Sequence, residues 1–112
     1  MELSKAIPIL IVAAMLEASG DAMMNAGLHA KAHLKLMWFL AATAVLFLYG
    51  YCVNSPPWDF GKLMGLYVVF FFIVAQTIAG ITSGKWPSGP ILLGGAFIVV
   101  GGLIIARSAI SH

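Results

Sequence analysis

Glu17 and Asp21 stand four residues apart inside an otherwise apolar stretch, in the segment MLEASGDAMMNAG. On a helix that spacing puts both carboxyls on one face, one turn apart, with Ala13 a turn before them and Asn25 a turn after. An acid at the centre of a membrane span costs about 2.5 to 3.5 kcal/mol on insertion scales, and neighbouring carboxylates repel when both are ionised. No basic residue lies in the same stretch to neutralise them. The chemistry such a pair offers is exchange: each carboxyl can hold a proton or, once ionised, a cation. His29 and His33 continue the four-residue spacing, and imidazoles at that spacing can share a metal. Gly27 is expected to loosen the helix before them and no cysteine lies nearby, so no metal site and no cofactor are assigned. Nor are catalytic residues assigned, and the chain is read as a non-enzyme.

The elements that must position these acids follow from composition. The chain has 112 residues, 62% apolar and 9% charged, with a mean hydropathy of +1.01. That is outside the range of water-soluble domains. A ~30 Å hydrocarbon core takes about 20 residues of helix to cross. The apolar runs, about 6–26, 36–53, 63–82 and 90–106, give four spans and leave little chain outside them. Backbone polar groups must be paired within lipid, so each run is expected to be a helix. The fold class is thus an all-α membrane protein with one four-helix transmembrane domain over residues 1–112. Between the runs lie GLHAKAHLK, NSPPWDFGK and SGKWPSG, which carry the Gly, Pro and charges of connections. Pro8 is expected in the first turn of helix 1 and Pro90 at the start of helix 4, where a missing N–H costs little. Trp38, Trp58 and Trp86 fall near the expected interfaces.

Lys5, the stretch from Ile7 to Leu16 and the small residues Ala18-Ser19-Gly20 have the outline of a cleaved leader. Glu17 and Asp21 fit that reading badly, and its loss would leave three spans, so the segment is read as the first span. One cysteine, Cys52, says nothing of redox compartment. The net charge of +2 is small and scattered, which argues against nucleic acid as a partner. Lys5, Lys62 and Arg107 fall on one side of the membrane, and Lys31, Lys35 and Lys85 on the other. A tie gives no orientation signal, whereas a protein inserted one way shows a bias. The tie suggests dual topology, with oppositely inserted copies pairing as an antiparallel homodimer.

A line of Ala14, Ala18, Ala22 and Ala26 offers helix 1 a small-residue packing surface. Helix 3 carries Tyr67, three consecutive phenylalanines at 70–72 and Gln76-Thr77; aromatic faces attract organic cations once water is excluded. Of these, Tyr67 is the strongest site candidate. Gly61 and Gly65, then Gly80 and Gly84, give weak GxxxG spacings. In helix 4, Gly94-Gly95 and Gly101-Gly102 repeat at seven residues, a flat face that reads as the dimer contact.

Leu16-Glu17-Ala18-Ser19-Gly20 through Met24, with Gly84-Lys85-Trp86, Pro90-Ile91-Leu92-Leu93-Gly94 and Gly101-Gly102-Leu103-Ile104-Ile105, resembles the small multidrug resistance family of four-helix transporters. The resemblance spans most of the chain. It implies an essential proton- and substrate-binding role for Glu17, with Gly20 beside it and Tyr67 on the substrate-facing position of helix 3. Where the family has a helix 3 tryptophan this chain has Phe70, and the Pro and Gly that precede it in relatives are absent. Asp21 replaces a small hydroxyl residue that lines the chamber in relatives. The expected function is proton-coupled export of small cationic or polar amphipathic compounds from the cytoplasm across the cell's inner membrane. The expected partners are protons, a cationic small molecule, a second copy and the bilayer. Two other readings stand beside it: a non-transporting membrane subunit whose acids pair with a basic helix of a partner, and a subunit of a lipid-carrier flippase.

Overall fold

A computed structural model describes residues 2–110, with side chains through residue 108. Four helices follow in order: α1 (Leu3–Leu28), α2 (Ala32–Val53), α3 (Phe60–Ser83) and α4 (Gly89–Ile110). Each contains a stretch long and apolar enough to cross a membrane. The described chain is therefore all-α, as its composition predicts, and has the makings of a multi-pass membrane protein.

The helices overrun the apolar stretches by a few residues at most ends. Hydropathy marks where lipid would begin, whereas helix ends are set by backbone hydrogen bonding, and Ala, Lys, Leu and His turns continue a helix beyond the apolar zone. Two expectations are corrected by this. Gly27 does not end α1; it is buried, and a Cβ there would run into the Phe39 ring. Pro8 lies inside α1, beyond the first turn. The connection from α1 to α2 is accordingly only His29–Lys31, and His33 belongs to the first turns of α2. By contrast, α3 stops sharply at Gly84, whose φ of 67° is a left-handed conformation open to glycine. The Lys85 N–H reaches back to the Ala79 carbonyl, and the Gly84 N–H to that of Gly80, closing the orphan carbonyls of the last turn.

Helices in lipid gain little from apolar burial against one another and pack where small residues permit close approach. In α1 the small residues that do this are Ala6, Ala13, Gly20 and Gly27, all buried and seven apart. The expected alanine line is not the seam: Ala14 is buried, but Ala22 is exposed. Steps of four drift about 40° around a helix, whereas steps of seven drift about 20°, so only the latter stays against one neighbour. Gly20 meets Leu46 and Gly27 meets Phe39 and Trp38 of α2. Farther down, the Cys52 thiol approaches the Ile9 carbonyl at 3.4 Å, so α1 and α2 run antiparallel. The α3–α4 seam uses the same device: Ile105 sits on Gly65, Val69 on Gly102 and Phe72 on Gly95.

α1 also packs on α3, but the three-helix contact is uneven along its length. The buried cluster of Leu10, Ala13, Ala14, Val53, Leu63, Leu66, Tyr67 and Ala106 draws on all four helices at the end that holds the α2–α3 connection. Beyond Ala14, the buried residues of α1 are Gly20 and Gly27, both turned to α2. Beyond Tyr67, the buried residue of α3 is Gly80, which lies under the Trp86 ring. The bundle is closed at one end and loosely packed at the other.

Candidate functional site

Glu17 sits where the packed half gives way to the open half. It is half-buried, one turn beyond the buried Ala13. The Tyr67 hydroxyl of α3 donates to its Oε1 at 2.6 Å, a charge-assisted distance if the carboxyl is ionised. Tyr67 itself is 4% exposed. Its ring lies 5.7 Å from that of Tyr49 and 6.2 Å from that of Phe71, both tilted, within the range of favourable aromatic pairs. The local arrangement is one carboxyl at membrane depth, held from below by a phenol within a three-ring aromatic stack. The stack carries two hydroxyls, those of Tyr49 and Tyr67, and the Tyr67 hydroxyl is the one that reaches the acid.

The other candidates are distributed differently. Asp21 is exposed, one turn farther into the open half, and forms no side-chain hydrogen bond or ion pair among the described residues. Ala13 is fully buried in the core cluster, where it supports the Glu17 turn from behind. Gly20 serves the α1–α2 seam against Leu46. Phe70 is not beside Tyr67 on the acid's side: with Leu3, Ile7, Leu66, Leu103 and Ala106 it lines an apolar crevice between α1, α3 and α4. The four helix 4 glycines divide into two pairs. Gly95 and Gly102 are occupied by α3 side chains of the same chain, whereas nothing stands within 4 Å of a Cβ at Gly94 or Gly101. Among the described residues no three His, Cys, Asp or Glu side chains converge. The His29 Nδ1–H donates to the Asn25 carbonyl at 2.9 Å, which closes the end of α1.

Tyr49 and Phe71 escaped the reading of the sequence. Phe71 is one turn from Tyr67 and could have been reached by spacing. The inner face of α2 is Ala42, Leu46, Tyr49 and Val53, at steps of four, three and four, but α2 is apolar on every side and nothing in its sequence singles that face out. No family model, curated protein or solved structure matches the chain.

Proposed function

We propose that the chain is a proton-coupled exporter of small cationic or polar amphipathic compounds, working in a cytoplasmic membrane as an antiparallel homodimer of oppositely inserted copies. The observation that carries this reading is the Tyr67–Glu17 hydrogen bond of 2.6 Å, in a helix whose one basic residue, Lys5, lies more than three turns from the acid. Protons and a cationic substrate compete for Glu17, and binding of one favours release of the other by the same free energy in both directions. Tyr67 orients the carboxyl, and Tyr49 and Phe71 supply an aromatic wall. Asp21 adds a second negative charge on the open side and favours substrates that are more polar or carry more than one positive charge. Gly94 and Gly101 are the helix 4 positions left over for a second copy, and rocking of the two protomers exposes the chamber to one side at a time.

The resemblance to the small multidrug resistance family supports the same assignment through Glu17, Tyr67 and the helix 4 glycines. Exchange by the purified protein in liposomes tests it: a proton gradient should drive uptake of a cationic dye, and Glu17→Gln should abolish this. Unchanged exchange in that variant would sink the mechanism. One observation favours a second reading. Asp21 is exposed on α1 and makes no side-chain hydrogen bond or ion pair among the described residues, which suits a membrane subunit that pairs with a basic helix of another protein; absence of exchange with every cation tried would favour it.

A further inference from the structure

The four carboxyl side chains of the chain are unevenly placed. Glu2 and Asp59 belong to the end that holds the α2–α3 connection, while Glu17 and Asp21 lie within α1. The opposite end, made by the α1–α2 and α3–α4 connections and the turns beside them, has no acid. It carries Lys31, Lys35 and Lys85 together with His29 and His33, all exposed. Counting lysine and arginine alone makes the two ends equal; counting acids leaves one end at +3 and the other, with Lys5, Lys62 and Arg107 against Glu2 and Asp59, at +1.

Two further features mark the acid-free end. Trp86 lies over Gly80 and is 62% exposed, an amphipathic ring of the kind that settles at headgroup level. The His29 Nδ1–H is already held by the Asn25 carbonyl at 2.9 Å.

We propose that this end of the bundle is a docking surface for anionic phospholipid headgroups, bound through Lys31, Lys35 and Lys85. Along α1 the first carboxyl met from this end is Asp21, about two turns from His29, or about 12 Å along the axis, so nothing in the α1–α2 connection neutralises Lys31 and Lys35. The inference does not depend on transport.

The full chain reconstituted in phosphatidylcholine vesicles, probed with spin-labelled phosphatidylglycerol against spin-labelled phosphatidylcholine, tests the surface through the motionally restricted fraction of each probe. The anionic probe should be preferred. Lys31→Gln, Lys35→Gln and Lys85→Gln should each weaken that preference by about fivefold, the equivalent of about 1 kcal/mol per basic residue near an anionic surface. Lys5→Gln and Lys62→Gln, at the end that holds acids, should weaken it less. Equal association of the two probes, or equal losses from lysines at either end, would overturn the proposal.

Discussion

The Tyr67 hydroxyl meets Glu17 Oε1 at 2.6 Å across the α1–α3 contact, and the residues on either side of that bond belong to different environments. Below it lie Leu63, Leu66 and Val53, buried to within a few per cent. Above it lies Asp21, exposed. The bond therefore ties the well-packed half of the bundle to the group proposed to bind protons and substrate.

Removing the hydroxyl alone should be measurable. Tyr67→Phe keeps the ring against Tyr49 and Phe71 and deletes one hydrogen bond, which to a charged group is worth about 1.5 to 3 kcal/mol. Reversible unfolding in mixed micelles should show a loss of that order. In a double-mutant cycle with Glu17→Ala, which removes the carboxyl, the two losses should add to more than the double variant's loss; strict additivity would show that the two groups do not interact in the membrane.

Tyr49 should matter for substrate as well as packing. Tyr49→Leu removes one ring of the stack and should cost about 0.5 to 1.5 kcal/mol of stability beyond its loss of area. If the stack forms the wall of the chamber, exchange of aromatic cations should fall more than exchange of small aliphatic ones, as competition assays in liposomes can show. Equal loss for both classes would confine Tyr49 to packing.

Asp21 and Glu17 should separate cleanly. Asp21→Asn should leave the helical content and the proton-driven exchange of singly charged cations in place, because Asp21 holds no hydrogen bond of the fold. Preference for doubly charged over singly charged substrates should drop severalfold. Loss of all exchange would instead make Asp21 a second obligatory site.

The helix 4 glycines should fall into two groups. Gly95→Val and Gly102→Val place a side chain where Phe72 and Val69 already stand, and overpacking of this kind costs about 1 to 3 kcal/mol. Gly94→Val and Gly101→Val meet nothing inside the protomer and should leave its unfolding unchanged while weakening self-association. Cross-linking yield in detergent, set beside unfolding midpoints, distinguishes the two; an identical response at all four positions would refute the division.

The four spans and their order were legible because twenty apolar residues in a row have few other uses, and Glu17 was legible because an acid in that setting is expensive. What the sequence concealed is rotational. α1 and α2 are apolar on nearly every side, so periodicity did not indicate which face turns inward, and the obvious alanine line of helix 1 competed with the seven-residue seam of Ala6, Ala13, Gly20 and Gly27 that the bundle uses. The same ambiguity hid Tyr49; on α3, the run of phenylalanines at 70–72 did not by itself say that Phe71 is the one beside the Tyr67 ring. Helix ends were blurred for a different reason: Leu28 and Phe60 continue helices through residues that hydropathy marks as boundary.

The open pair on α4, Gly94 and Gly101, has a geometric corollary. Two glycines four apart favour a steep right-handed crossing of about −40°, but two glycines seven apart keep their shallow groove along one side of the axis and suit a left-handed crossing of about +20°. Leu93, Phe97 and Ile104, each more than 60% exposed, flank the two glycines. A groove with that repeat is blind to polarity: it would receive a neighbour travelling up or down the bilayer equally well. The orientation of a second copy placed there would thus be decided outside α4, by the ends of the helices and the charges they carry.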